Sequence, residues 1–65
     1  MNKYLVTYKD TDDVYIDADR FDLENLVTVK EDSYVPFYAE DKIVSIAKTC
    51  GIASITIYRW NINRS

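Results

Sequence analysis

The chain of 65 residues contains no histidine and only one cysteine, one glycine and one proline. The missing histidine and the single Cys50 exclude the usual zinc sites and every histidine-dependent catalytic arrangement. A lone cysteine forms no disulfide within the chain, and we expect Cys50 to be a small buried hydrophobic residue and not a nucleophile. The sequence therefore predicts a protein that is not an enzyme and that uses no metal or other cofactor.

The chain also lacks a glycine-rich phosphate loop, an internal repeat and a flexible linker, so we expect one domain over residues 1–65. Its longest apolar run is far too short to cross a membrane. The N-terminal sequence MNKYLVTYKD lacks the charged-then-apolar pattern of a secretion signal. We therefore expect a cytoplasmic protein with no membrane partner.

Acidic and basic residues are distributed unevenly along the chain. Residues 1–41 hold all eleven acidic residues against four basic ones, whereas residues 42–65 hold four basic residues and no acidic one. One interpretation is that the acids solvate the turns and outer faces of a sheet. The other is a molecule with an acidic end and a basic end, the second of which approaches nucleic acid.

The first half of the chain shows the alternation of apolar and polar residues that is typical of strands. Tyr4, Val6 and Tyr8 predict a first strand with the tyrosines inward, and residues 14–18 predict a second strand that forms a hairpin with it. The aspartates between them, at 10, 12 and 13, are interpreted as a solvated turn and not as a calcium loop.

After residue 18 the apolar pattern shifts by one position, so that Phe21 and Leu23 continue the buried set. We expect a bulge or bend near Asp19 and Arg20, because in a small barrel the second strand must serve both halves of the sheet. Further strands are predicted at 26–30 and 34–39, with turns at 31–33 and 40–42.

A last short strand is predicted around Val44 and Ile46, which completes a β-meander over residues 3–48. This pattern resembles a small antiparallel five-stranded barrel of the Src-homology-3 or Sm kind. The stretches YKDTDDVYIDADRFDLEN, LVTVKED and YVPFYAEDKIVSI are also similar to short β-rich proteins of phages and mobile elements of Gram-positive bacteria. We expect Phe37 and Ile46 to lie in the core.

A second interpretation begins at Glu40, where the apolar spacing changes to that of a helix. The sequence IVSIAKTCGIASITIYRWNI resembles the helix-turn-helix of bacterial and phage DNA-binding proteins. That resemblance implies an α+β fold, a β-meander followed by a helix-turn-helix at 40–62. Residues 49–65 are thus predicted as either an additional strand or a second helix. We prefer the mainly β fold, since β-branched and aromatic residues dominate residues 52–62.

These observations favour a small non-enzymatic protein, encoded by a phage, that docks on a host protein and inhibits it, as anti-CRISPR and other anti-defence proteins do. Tyr58, Trp60 and Ile62 would form the partner-binding patch, which we expect to bind either the target or a second copy as a homodimer. The alternative is a helix-turn-helix transcriptional regulator. The residues that would contact DNA through the basic C-terminal segment are then Ser54, Thr56, Tyr58 and Arg59.

Overall fold

The computed structural model describes residues 1–58, and over these residues the protein consists of antiparallel β-strands without a helix. The strands in chain order are β1 (Asn2–Tyr8), β2 (Val14–Ala18), β3 (Arg20–Phe21), β4 (Val27–Val29), β5 (Asp32–Ala39), β6 (Lys42–Lys48) and β7 (Ile52–Tyr58). This confirms the predicted mainly β fold. The segments form strands because alternating apolar residues and β-branched side chains dominate them.

The strands form two antiparallel sheets. In the first sheet β1 is central and pairs with β2 on one side and β7 on the other. In the second sheet β5 is central, with β6 along one edge and with β3 and β4, one after the other, along the opposite edge. Among residues 1–58 no pairing joins β6 to β7, so the two sheets are not closed into the predicted barrel.

The two sheets are joined by a bend at Asp19, between β2 and β3, which confirms the predicted change of direction. The Asp19 backbone N–H donates a hydrogen bond of 2.7 Å to the Tyr38 carbonyl, which continues the pairing of β3 with β5. The Asp19 carbonyl accepts a bond of 3.1 Å from the Tyr4 hydroxyl. The bend therefore ties β1 of the first sheet to β5 of the second.

The core lies between the inner faces of the two sheets. Its buried hydrophobic residues are Tyr4, Val6, Ile16, Ala18, Val35, Phe37 and Ala47. The rings of Tyr4 and Phe21 meet edge to face at 5.2 Å, and the Phe37 ring lies 5.6 Å from each of them. This aromatic contact across the two sheets supplies the main packing of a domain that is too small for a second core layer.

The prediction that Ile46 is buried is wrong. Ile46 lies opposite Pro36 on the outer face of the second sheet and is 41% exposed. Its neighbour Ala47 lies opposite Val35 and faces the core. Since side chains alternate between the faces of a sheet, only one of two adjacent apolar residues can point inward, and the smaller one does so here.

Leu23 is also outside the core, contrary to the prediction, and is 60% exposed. β3 ends at Phe21, and residues 22–26 form a loop before β4. Phe21 packs against the core as predicted. The shift in the apolar pattern thus predicts the bend correctly. The strand that follows the bend, however, ends at Phe21 and does not reach Leu23.

The helix-turn-helix alternative is wrong over residues 40–58, since β6 and β7 are strands and the residues between them form a turn. Gly51 has φ of 81°, the left-handed conformation that glycine adopts readily, but it serves a turn between strands and not a helix end. Cys50 lies in the same turn and is exposed, so the prediction of a buried cysteine is wrong as well.

Candidate functional site

Strands at the edge of a sheet present unpaired backbone groups that another strand can bind, and most edges of this protein are protected against such pairing. β6 carries lysines at both of its ends, Lys42 and Lys48. Its register also skips Val44, which forms a bulge opposite β5. β3 and β4 are very short, and β2 ends at the bend. These features are typical of edges that do not accept a further strand.

β7 differs from the other edge strands. Its sequence, IASITIY, contains no charged residue and no proline. Within residues 1–58 it pairs only with β1, and its other edge has no partner strand. A bulge at Ala53 interrupts its start, but residues 54–58 pair in regular register with residues 7–3. This uncharged, regular stretch is the least protected edge among the described strands.

A cleft of about 340 Å³ lies beside β7. Its lining is mostly apolar and combines both sheets with the loop after β3, namely Phe21, Leu23, Val35, Thr49, Ile52, Ser54 and Ile55. Phe21, Ile52 and Ile55 pack against the core yet remain half-buried. The volume is within the range of pockets that hold part of a ligand, so the cleft can accept an apolar side chain.

The free edge and the cleft belong to the same strand, because Ile52 and Ile55 line the cleft from the inner face of β7, and Ser54, whose side chain is on the outer face, borders it at the edge. Side chains of a strand added to β7 would alternate between the two faces of the first sheet. Those on the inner face would lie beside Ile55 and point toward the cleft. The arrangement can therefore bind an extended chain through its backbone and select one of its side chains.

A turn in the loop of residues 22–26 positions Leu23 at the opposite wall of the cleft. The Asp22 carboxylate accepts a hydrogen bond of 2.9 Å from the Asn25 side chain and one of 2.8 Å from the Glu24 backbone N–H. These bonds hold the pKa of Asp22 below its usual value. The ionised carboxylate thus keeps the loop in the conformation that places Leu23 at the cleft.

A contact between β1 and β6 lies next to Thr49 of the cleft lining. The Tyr8 hydroxyl donates a hydrogen bond of 3.0 Å to the Lys48 carbonyl, close to Thr49 of the cleft lining. Partial burial raises the pKa of Tyr8. Tyr8 is therefore a neutral structural donor at neutral pH.

Of the predicted partner-binding patch, only Tyr58 lies within the described residues. It is exposed at the end of β7, and its ring meets that of Tyr15 edge to face at 5.4 Å on the outer face of the first sheet. Trp60 and Ile62, the other members of the patch, lie outside the described residues, as does Arg59. The structure thus places the candidate cleft on the inner face of β7, whereas Tyr58, the described member of the predicted patch, is on its outer face.

The residues proposed to contact DNA do not lie on a recognition helix. Ser54 and Thr56 are on the outer face of β7, together with Tyr58. The Ser54 hydroxyl is 2.7 Å from the Thr7 hydroxyl across the strand pair. The predicted mode of DNA contact, from a helix of a helix-turn-helix, is therefore wrong for these three residues.

Sequence reasoning missed the cleft-lining role of Ile52, Ile55 and Leu23. One signal is present in the sequence, since Ile55 and Ile57 alternate with Thr56 and Tyr58, so that in a strand apolar residues lie on both faces. The second signal was Leu23, a large apolar residue in a polar loop between Asp22 and Glu24. Neither signal reveals that the two segments meet, because this depends on how the two sheets pack.

A second exposed apolar surface lies on the outer face of the second sheet. Val29, Ile43 and Ile46 are exposed there, and the Arg20 guanidinium lies 4.3 Å from the centre of the Tyr38 ring on the same face. The edges of this sheet are β6, with its lysines and its bulge, and the very short strands β3 and β4. Binding by strand addition is therefore favoured at β7 and not here.

Comparisons with protein-family models, with curated proteins and with solved structures find no match for this chain. Within residues 1–58, no three or more acidic, cysteine or histidine side chains are grouped so as to hold a metal ion. In the same part of the chain, no helix has the length and apolar character needed to cross a membrane. The features that bear on function are consequently the free edge of β7 and its cleft.

Proposed function

We propose that the protein is a non-enzymatic binding module that takes an extended segment of a partner protein as an additional strand on β7. The observation that supports this most is the position of the unprotected edge of β7 directly beside an apolar cleft. In this mode of recognition, backbone hydrogen bonds supply affinity and the pocket supplies specificity.

The strength of such a complex can be bounded from its parts. Burying one Leu-sized side chain contributes roughly 1.5–3 kcal/mol, and each backbone hydrogen bond about 0.5–1.5 kcal/mol net. Residues 54–58 offer few such bonds, and association itself costs at least about 4 kcal/mol. We therefore expect a short peptide to bind with a Kd near the micromolar range or weaker, and a folded partner to bind more tightly through further contacts.

The role predicted from the sequence is a finer form of this proposal. The partner would be a host protein that is inhibited when its segment is held on β7, and the chain would be encoded by a phage and act in the host cytoplasm. We also propose that the fold is an open relative of the Src-homology-3 or Sm barrels. At Asp19 the chain bends and passes from β2 in the first sheet to β3 in the second, and this bend supports the proposed fold.

The proposal is tested by selecting displayed random peptides, long enough to span β7, on the immobilised protein. The selected peptides are then titrated against two variants of the loop after β3, Leu23→Asp and Leu26→Asp. Both leucines are exposed, at 60% and 42%, and both substitutions introduce the same charge, but only Leu23 lines the cleft. Leu26→Asp is therefore the matched control.

We expect the selected peptides to share an alternating pattern without proline and with one large apolar residue. Leu23→Asp should weaken their binding at least about tenfold, because a carboxylate at the wall of the cleft opposes burial of an apolar side chain. Leu26→Asp should bind as the unmodified protein does. Recovery of no binding peptide, or equal binding by both variants, would contradict the proposal.

A further inference from the structure

We infer that the strand that fits β7 carries a basic residue next to the apolar residue that enters the cleft. This inference depends on the proposed function, and it specifies the chemistry of the partner. It follows from the charges that surround the cleft.

β7 contributes no charge of its own to this site. The opposite wall, the loop of residues 22–26, contains Asp22 and Glu24 on either side of Leu23 and contains no basic residue. Asp22 stays ionised at neutral pH, since its hydrogen bonds lower its pKa. A strand held between β7 and this loop would therefore lie beside two carboxylates.

The start of β7 is next to a second acidic turn. The Lys9 backbone N–H donates a hydrogen bond of 2.9 Å to the Gly51 carbonyl, so the end of β1 adjoins the turn that precedes β7. The residues that follow Lys9 include three exposed aspartates, at 10, 12 and 13. This turn leads from β1 to β2, and it therefore adds negative charge near the start of β7, beginning at Asp10, to that of the loop of residues 22–26.

Among residues 1–58, the basic side chains nearby offset only part of this negative charge. Arg20 interacts with the Asp22 carboxylate, but its guanidinium lies over the Tyr38 ring on the outer face of the second sheet. Lys3, on β1 opposite Tyr58, forms an ion pair of 2.9 Å with Asp17, and Lys48 lies 3.9 Å from Asp32. Residues 1–58 hold eleven acidic and six basic side chains, a net charge of −5. An acidic rim around an apolar cleft is complementary to a segment with Lys or Arg beside an apolar residue, and it disfavours a segment with Asp or Glu there.

Three synthetic peptides test this inference. Each peptide alternates Thr and Val around a central Leu. The three peptides differ only in the two residues that flank Leu on its own face of the strand, which are Lys, Ser or Glu. We expect the Lys peptide to bind at least about tenfold more tightly than the Glu peptide at low salt, with the Ser peptide between them. The difference should shrink as salt is added, because these charges are exposed to solvent.

The charge reversal Glu24→Lys should remove the preference for the Lys peptide. Its control is Glu31→Lys, which makes the same change at an exposed position in the turn between β4 and β5. Equal binding of the Lys, Ser and Glu peptides would overturn the inference while leaving strand addition on β7 in place. Failure of all three peptides, and of every selected peptide, to bind would instead overturn the proposed function itself.

Discussion

The carboxylate of Asp19 accepts a hydrogen bond of 2.9 Å from the backbone N–H of Glu40, which is 21 residues further along the chain. Asp19 is the bend between β2 and β3, and Glu40 begins the turn between β5 and β6 with φ of 59°. A non-glycine residue in this left-handed region is strained, so the hydrogen bond stabilises the backbone conformation that this turn requires.

We therefore predict that Asp19→Ala lowers the free energy of unfolding by about 1–2 kcal/mol, since it leaves the strained turn without its acceptor. Asp19→Asn retains an oxygen acceptor and should lose less than half as much. Urea unfolding of the three proteins measures the difference. An Asp19→Ala protein as stable as the original would show that the bend does not depend on this contact.

The core contact of Phe37 should dominate stability. Phe37→Ala removes the ring that packs against Tyr4 and Phe21, and we expect a loss of roughly 3–5 kcal/mol, most of the stability of a domain of this size. Ile46→Thr, on the outer face of the next strand, should cost less than about 1 kcal/mol. Thermal unfolding followed by circular dichroism compares them, and a cooperative melt of Phe37→Ala near that of the original protein would contradict the packing described.

Cys50 should react readily in the folded protein. It is exposed in the turn before β7, whereas the sequence predicts a small buried residue at this position. We expect a thiol reagent such as dithiobisnitrobenzoate to label Cys50 at nearly the same rate in the folded protein as in denaturant. Strong protection of the thiol under native conditions would favour the helical alternative.

The hydrogen-bonded carboxylate of Asp22 should make part of the stability depend on acid pH. Because its pKa is lowered on folding, the stability that it contributes is present above its ordinary pKa of 3.8 and is lost as the pH falls through the lowered value. The difference in unfolding free energy between the original protein and Asp22→Asn should therefore be constant near neutral pH and should decrease below about pH 3.8. Chemical unfolding in a pH series provides the measurement, and a difference that grows in acid would have the wrong sign.

The strands could be predicted from the sequence because the apolar alternation is strong. Tyr4, Val6 and Phe37 were recognised as inward-facing, and the bend near Asp19 was visible as a shift in that alternation. The branched residues Ile55, Thr56 and Ile57 favoured a strand over a helix at the C-terminal end, and this local preference is confirmed in β7.

Other features depend on contacts between segments and could not be predicted. In the pair Ile46 and Ala47, apolar character alone does not show which residue faces inward, because this is fixed by the register with Val35. Leu23 lines the same cleft as Ile52 and Ile55 because of the way the two sheets pack beside β7. The candidate site is thus a property of sheet packing, and local pattern contains little information about it.

The central claim, that β7 binds a partner chain along its free edge, is tested most directly by hydrogen exchange of the β7 backbone amides, measured by NMR with and without a selected peptide. Amides of residues 54–58 that point away from β1 have no partner strand within the described structure, and we expect them to exchange quickly in the free protein. Binding of the peptide should slow their exchange strongly and leave the amides of β6 unchanged. If the peptide instead slows exchange of amides in β6 or elsewhere in the second sheet, and leaves those of residues 54–58 unaffected, the result would contradict the account.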